Sequence, residues 1–291
     1  MPKLKRPSIL TLMLALLLTF SAHAESTTAP ALGNSAGLNL ITINKHQFIQ
    51  VGDQLIDADR LQNPNYADLE RGPLASKLDS VPFAARPTKV ELWTDGVIPI
   101  TFGKDIDAPL QKTVFDACLE WAKSTTHLHC QLGAYKGQKL KVTRSFMGNN
   151  AGCWSMLGQG AYFMGIRRHM NLGYGCDRFT TVLHEMGHVL GLAHEHQRSD
   201  RDNYVVIHQE NIADPYAGFG IKLNFARQKT ELVTAYDFLS IMHYHRDSFS
   251  KNGGDTIVPR DQYSAYIDKI GHAEGLSELD REAVRQLYSG K

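Results

Sequence analysis

Thr180-Thr-Val-Leu-His184-Glu-Met-Gly-His188-Val-Leu-Gly-Leu-Ala-His194-Glu-His196 is the stretch whose histidine spacing decides the fold. His184 and His188 are four residues apart, so on a helix their imidazoles project from the same face, one turn apart. Glu185 lies on the same turn and can face a metal-bound water instead of binding the metal. The pattern predicts a helix that carries two metal ligands and a carboxylate base.

The third histidine completes a catalytic rather than a structural metal site. Gly191 is the expected end of the helix, because glycine tolerates the left-handed conformation of a sharp reversal, and this reversal would bring His194 to the same ion. Three neutral imidazoles leave one tetrahedral position open for water. Zinc is the usual ion of such open hydrolytic sites, although imidazole also suits copper, nickel and iron. We expect one Zn²⁺ per chain, and we expect His196 to be a surface residue rather than a fourth ligand.

The amino-terminal segment predicts export. Three basic residues among the first six precede an apolar run over residues 9–20, and residues 22–24, Ala-His-Ala, supply the small residues of a cleavage site. The run is shorter than the roughly 20 residues needed to span a bilayer. Residues 1–24 are therefore interpreted as a signal peptide of a secreted protein, extracellular or periplasmic. An uncleaved anchor is the alternative.

The charge balance bears on the class of partner. The chain of 291 residues has 31 basic and 30 acidic residues, a formal net charge of +1, and 43% of its residues are hydrophobic. This balance predicts neither a nucleic-acid footprint nor attraction to an anionic membrane. We expect no nucleic-acid partner, and no membrane association after the signal is removed.

The region that follows the signal, residues 25–85, is poor in periodic pattern and contains several turn signals. A strand-like patch at residues 47–51 interrupts it. Its composition leaves open a disordered linker or a pro-segment.

Regular structure is expected from about Val90. Residues 91–93 and 97–102 predict two strands joined by a turn. Asp107 predicts the cap of an amphipathic helix, and residues 139–146 alternate like a strand. A capping box at Ser277 predicts a closing helix.

The four cysteines are expected to form disulfide bonds, since an exported protein folds in an oxidising compartment. Four cysteines allow three connectivities, and none has the CxxC spacing of a structural zinc site. The residues are Cys118, Cys130, Cys153 and Cys176.

The motif from His184 to His194 resembles the extended zinc motif of the metzincins. Its continuation, Glu195-His-Gln-Arg-Ser-Asp-Arg-Asp-Asn-Tyr204, is similar to the astacin family in particular, as is Ser240-Ile-Met-His-Tyr244, which matches that family's Met-turn. The resemblance covers roughly residues 90–289. It implies an α+β metzincin fold with two subdomains: a twisted mixed sheet plus helices above a zinc cleft, and an irregular lower subdomain with a C-terminal helix.

The resemblance also implies roles for individual residues. Met242 would form a hydrophobic base beneath the zinc, and Tyr244 would be a fifth zinc ligand that swings away to stabilise the oxyanion. Glu195 would be a buried carboxylate near the mature amino terminus, which would lie near Ala84. Asp53 would be a latency ligand of the zymogen, although Gln50 stands where the family motif has phenylalanine; a plain turn residue is the alternative.

The disulfide pattern departs from the one that the resemblance implies. Cys153 and Cys176 match the inner disulfide of the family. The other usual bridge reaches a cysteine at the C-terminus, where this chain has none. We therefore expect Cys118 to pair with Cys130.

Together these features predict a secreted metalloendopeptidase of the astacin type, made as a zymogen and monomeric. It would hydrolyse internal peptide bonds by a metal-activated water, with Glu185 as general base and Tyr244 stabilising the oxyanion. Its protein or peptide substrates would lie extended in the cleft, paired with an edge strand. The expected domains are residues 1–24 (signal peptide), 25–85 (pro-segment) and 86–291 (catalytic domain).

Two alternatives remain open. The chain could be a processing protease with one physiological target, since only the subsites would differ. It could also be a zinc-containing pseudoenzyme that binds peptides, although a binder has no need of a base at Glu185.

Overall fold

The structure is a computed structural model. It describes residues 90–145, 152–159, 168–213, 224–228 and 230–290, together with the backbone of three strands between residues 39 and 57. The expected signal peptide, the mature start near Ala84 and Asp53 lie outside the described residues.

The three amino-terminal strands form an antiparallel sheet in the order β1-β2-β3. They are β1 (Asn39–Ile43), β2 (His46–Val51) and β3 (Gln54–Asp57). The strand-like patch at residues 47–51 falls within β2. The sequence pattern does not predict the two flanking strands, which form by backbone pairing with β2.

A mixed five-stranded sheet carries the main fold, in the order β5-β4-β6-β8-β7. Its first four members pair in parallel, whereas β7 at the edge runs antiparallel to β8. The bounds are β4 (Val97–Phe102), β5 (His129–Leu132), β6 (Leu140–Thr143), β7 (Cys153–Ser155) and β8 (His169–Leu172). A separate antiparallel pair joins β9 (Val205–Ile207) to β10 (Ile257–Pro259).

The prediction of a strand at residues 91–93 is wrong. The carbonyl oxygens of Glu91 and Leu92 accept hydrogen bonds from the backbone N–H and side-chain amide of Gln159, so a loop contact replaces a strand ladder. The expected turn is a 3₁₀ turn, Thr94–Gly96. Gly96 has a φ of 65°, and a Cβ there would lie 1.8 Å from the His127 carbonyl oxygen, so only glycine fits.

The described residues form three α-helices, and two of them begin at capping residues that the sequence predicts. Helix α1 (Ala108–Ala122) begins after Asp107, whose carboxylate accepts from the Leu110 N–H at 2.9 Å. Helix α2 (Phe179–Val189) contains the first two histidines of the motif. Helix α3 (Glu278–Tyr288) begins with the expected capping box.

Two buried clusters hold these elements together. The first lies between the sheet, α1 and α2, and it also receives the apolar face of α3. The Tyr288 hydroxyl donates to the Leu190 carbonyl oxygen at 3.2 Å, so the closing helix is fixed to the end of α2. The second cluster is largely aromatic and consists of Val205, Ile212, Phe225, Tyr236, Phe238, Tyr244, Ile257 and Ile270. The expected α+β class is confirmed.

Two disulfide bonds cross-link parts of this framework. Cys118 in α1 is bonded to Cys130 in β5, and Cys153 in β7 is bonded to Cys176 in the loop before α2. The first joins α1 to the outer edge of the sheet, and the second lies beside the antiparallel edge. Within the described residues, none of the helices is both long and apolar enough to cross a bilayer.

Candidate metal centre

Helix α2 ends in a reversal that its sequence specifies. The N–H of Gly191 donates to the His188 carbonyl oxygen at 2.8 Å, and the N–H of Leu192 donates to the Gly187 carbonyl oxygen at 3.0 Å. These two bonds form a Schellman motif, with Gly191 at a φ of 97°. The chain then turns back along the helix, which brings His194 beside the first two histidines.

The three histidines of the motif form one cluster. The potential ligand atoms of His184, His188 and His194 all lie within 4.8 Å of one another. The ring centroids are 4.7 to 5.3 Å apart. His188 and His194 are buried, whereas His184 is partly exposed, so the cluster can be reached from solvent.

Each imidazole is oriented by a hydrogen bond from its Nδ1 to an oxygen. The Nδ1 of His184 donates to the Ile241 carbonyl oxygen, and that of His188 donates to the Leu192 carbonyl oxygen, both at 2.7 Å. The Nδ1 of His194 donates to Oε1 of Gln197 at 3.0 Å. Since an acceptor fixes the proton on Nδ1, all three rings keep the Nε2 lone pair for a metal. The donor set therefore fits a zinc-class ion with an open position.

The carboxylate residue of the motif lies on the same helix as the first two histidines. Glu185 is only 1% exposed and lies on the same turn of α2 as His184 and His188. Two tryptophans hold the backbone of α2 in place. The indole N–H of Trp121 donates to the Leu183 carbonyl oxygen, and that of Trp93 donates to the Val189 carbonyl oxygen. The helix that carries the site is thus held at both its middle and its end.

The segment 240–244 lies against α2 at Gly187. A Cβ at Gly187 would lie 2.5 Å from the sulfur of Met242, so the absence of a side chain makes room for the methionine directly behind the histidine turn. Met242 itself is 2% exposed. Its carbonyl oxygen accepts from the Glu195 N–H at 3.0 Å, so the Met-turn contacts the chain on both sides of His194.

Helix α3 anchors the Met-turn through the side chain of Asp280. The carboxylate of Asp280 accepts from the Ser240 hydroxyl at 2.6 Å and from the Ile241 N–H at 3.0 Å. Burial raises the pKa of Asp280, while these hydrogen bonds favour its charged form. Because the Ile241 carbonyl oxygen orients His184, a continuous chain of hydrogen bonds runs from α3 to a histidine of the cluster. The capping box identifies Asp280 as a helix cap; the sequence does not predict this second role.

Tyr244 contacts the rings of two histidines. Its ring is 4.4 Å from that of His194 and 4.2 Å from that of His196, and the Asn224 amide donates to its hydroxyl at 3.4 Å. His196, expected at the surface, is fully buried. The surface expectation for His196 is therefore wrong: its Nε2–H donates to the Asn224 carbonyl oxygen at 2.8 Å, and the stacked ring supports Tyr244.

Burial sets the protonation of His196. The loss of water and the nearby His194 and His243 hold the pKa of His196 well below its usual range. The neutral ring can stack on Tyr244 without bringing an unpaired charge into the second cluster. The burial of His196 does not follow from the local sequence, because its partner Asn224 lies 28 residues further along the chain.

Glu195 lies beside the Met-turn, in a pocket that contains several polar side chains. Its Oε1 accepts from Arg198 Nη1 at 3.0 Å and from the Asp237 N–H at 2.8 Å. Burial raises the pKa of Glu195 to about 8, although Arg198 and the Asp237 N–H favour the charged form. A small cavity lined by Glu195, Arg198, Asp237 and Asp280 opens beside this carboxylate.

A family model described as Astacin, a family of peptidases, matches residues 85–289. The chain belongs to the astacin family. The family is one of peptidases, and the α+β fold that the sequence motifs predict is the fold of this astacin.

Curated relatives agree with this assignment. The chain is 34% identical over 210 residues to zinc metalloproteinase nas-39 of Caenorhabditis elegans, an alignment that covers 70% of this chain and 21% of that protein. It is 31% identical over 254 residues to bone morphogenetic protein 1 of Xenopus laevis, which covers 86% of this chain and 33% of that protein. The chain thus spans about a fifth to a third of the length of these relatives.

A solved structure shows the same fold. High choriolytic enzyme 1, a hatching enzyme zinc-protease from Oryzias latipes, is 30% identical, with a TM-score of 0.57 over 69% of this astacin and 94% of that chain. The relatives named as zinc proteases and the three-histidine cluster identify zinc as the cofactor.

Proposed function

We propose that this astacin is an exported endopeptidase that is made as a zymogen and hydrolyses internal peptide bonds of proteins. One tightly held zinc per chain would be bound by His184, His188 and His194. The observation that carries the proposal is the orientation of the three imidazoles, each with Nδ1 donated to an oxygen and Nε2 kept for a metal.

The residues around the cluster supply proton transfer and charge stabilisation. When bound, zinc supplies Lewis-acid chemistry that polarises the scissile carbonyl and lowers the pKa of water to about 7. Glu185 takes the proton from the attacking water and delivers it to the leaving amine as the C–N bond breaks. Tyr244 would donate a hydrogen bond from its hydroxyl to the oxyanion, and it would be a further residue that could hold the zinc when no substrate is present. The contact of its ring with His194 supports this role, because His194 is one of the proposed ligands.

The substrate would bind as an extended strand along β7. This strand is the antiparallel edge of the main sheet, and the segment after it contacts α2, where the Gly158 N–H donates to the His188 carbonyl oxygen at 2.9 Å. An edge strand can offer backbone groups to a peptide, which explains how many sequences could be bound in one geometry. The monomer would be sufficient for this binding.

Maturation would remove residues 25–85 after export has removed residues 1–24. The position of β3 beside β7 supports a pro-segment that covers the substrate edge. Asp53, which follows β2 in the sequence, would be the latency ligand. Cleavage near Ala84 would release a new amino terminus, and the pocket at Glu195 offers a buried carboxylate for its ammonium group.

Metal removal tests the proposed function. We expect a chelator such as 1,10-phenanthroline to abolish cleavage of an unfolded protein by the matured enzyme, and one equivalent of Zn²⁺ to restore it, because the imidazoles alone cannot polarise a carbonyl. Cleavage is followed by the appearance of new amino termini. The control receives chelator that has been saturated with zinc beforehand. Cleavage that persists after complete metal removal would contradict the proposal, and restored zinc binding without cleavage of any unfolded protein would favour a single-target protease or a peptide-binding pseudoenzyme.

Replacing Tyr244 by phenylalanine tests the oxyanion role. We expect kcat to fall by about 10²-fold with little change in KM, because the lost hydrogen bond forms only in the transition state. Steady-state kinetics on one peptide give the two constants separately. Tyr204→Phe is the matched control, since Tyr204 packs against the same aromatic cluster outside the metal centre. A kcat equal to that of the unchanged enzyme would retire this role for Tyr244.

A further inference from the structure

A second pair of imidazoles lies on the surface, outside the three-histidine cluster. The Nε2 of His245 and the Nδ1 of His272 are 3.1 Å apart, and the ring centroids are 3.8 Å apart. Two nitrogens that bind one tetrahedral zinc at 2.0–2.1 Å are themselves about 3.4 Å apart. The pair is therefore spaced to hold one ion after a shift of a few tenths of an ångström.

A carboxylate orients one of the two rings. The Nδ1 of His245 lies 3.0 Å from Oδ1 of Asp247, which fixes its proton on Nδ1 and turns the Nε2 lone pair toward His272. This carboxylate–histidine arrangement is the one that raises the basicity of zinc-binding imidazoles. All three side chains are accessible: His245 is 38% and Asp247 59% exposed, and His272 is also exposed.

The backbone holds the two histidines together. Gly271 has a φ of 72°, and a Cβ there would lie 2.3 Å from the His245 nitrogen and 2.7 Å from the carbonyl carbon of Tyr244. Only glycine permits this close approach, which places the next residue, His272, over His245. Each histidine also lies in a turn, closed by bonds from Ser248 N–H to the His245 carbonyl oxygen and from His272 N–H to the Lys269 carbonyl oxygen.

The cation that follows His245 in the chain does not oppose a bound ion. Arg246 lies between His245 and Asp247 in the chain, but its guanidinium is paired at 2.7 Å with both Asp255 and Asp268. Its charge is therefore compensated by two carboxylates. Asp247 adds a further negative charge beside the imidazoles.

We propose that His245 and His272 form a second, weaker divalent-metal site that binds zinc, with Asp247 as the carboxylate behind His245. Imidazole ligands select zinc, copper or nickel over calcium and magnesium, which prefer oxygen. Water would complete the coordination of the ion. The ion would link the turn at residues 269–272 to the residue that follows Tyr244. This site is independent of the proposed function, because it uses none of the three cluster histidines.

Equilibrium dialysis against Zn²⁺, followed by metal analysis, tests the proposal. Protein that already holds its tightly bound zinc is expected to take up one further equivalent, and His272→Ala none. Asp247→Asn is expected to keep the second site with an affinity about 10- to 100-fold lower, since it removes only the orienting carboxylate. The added ion should also raise Tm in the unchanged protein and not in His272→Ala, because it binds only the folded state.

His208→Ala is the matched control. His208 pairs through Nδ1 with Glu210 at 2.9 Å, as His245 does with Asp247, but within the described residues no second imidazole contacts it. This variant should bind the second equivalent like the unchanged protein. Uptake of no further zinc by the unchanged protein, or equal uptake by His272→Ala, would overturn the proposal, and neither result would affect the catalytic assignment.

Discussion

Glu185→Gln is expected to lower kcat for peptide hydrolysis by about 10²–10⁴-fold, the usual range for loss of a general acid–base group. Glutamine has nearly the same shape but cannot take a proton from the attacking water or deliver one to the leaving amine. Because Glu185 is not among the three imidazole ligands, bound zinc should remain at the level of the unchanged enzyme. Peptide cleavage rates and metal content are measured on the same preparation.

Glu210→Gln provides the comparison for the loss of a carboxylate. Glu210 is exposed and pairs with His208, away from the metal cluster, so its variant should keep full activity. If Glu185→Gln kept full activity while holding zinc, the assigned base would be wrong. If it lost zinc as well as activity, Glu185 would have a role in holding the ion.

Asp280→Ala is expected to destabilise the fold by about 2–4 kcal/mol. The change leaves the Ser240 hydroxyl and the Ile241 N–H buried without their acceptor, and each such loss costs about 1–3 kcal/mol. It also removes half of a capping box, while the relief of a buried carboxylate offsets part of the loss. The free energy of unfolding is measured by denaturant titration at a fixed zinc concentration.

Helix α3 itself supplies the control for Asp280. Glu278 lies in the same first turn but is 77% exposed, with a surface pairing to Arg285, so Glu278→Ala should change stability by less than about 1 kcal/mol. Since Asp280 holds the Met-turn whose Ile241 carbonyl orients His184, Asp280→Ala should also weaken zinc binding, and Glu278→Ala should not. Equal effects of the two variants would show that only helix capping is lost.

Local sequence rules were sufficient for the elements whose hydrogen bonds close within a few residues. The four-residue spacing of His184 and His188 places both imidazoles on one face of α2. The helix is closed by the N–H groups of Gly191 and Leu192, which donate to carbonyl oxygens three and five residues earlier, respectively. Asp107 and Ser277 cap their helices within three residues. Each of these bonds joins near neighbours, so the pattern alone predicts it.

The resemblance to the astacin motifs supplied what spacing could not. It indicated that Met242 and Tyr244 belong beside the metal centre, where the structure places Met242 against Gly187 and Tyr244 against His194. Without it, both residues would be read as ordinary core side chains.

Only the tertiary structure decided which distant groups meet. The acceptor of His184 lies 57 residues away, the anchor of the Met-turn lies 40 residues from Ser240, and residues 91–93 are held by a loop rather than a strand. His196 is buried because Asn224 and Tyr244 come to it from elsewhere in the chain. A hydrogen bond within one turn follows from backbone geometry. A contact between remote segments depends on how the whole core packs, and no local pattern encodes that packing.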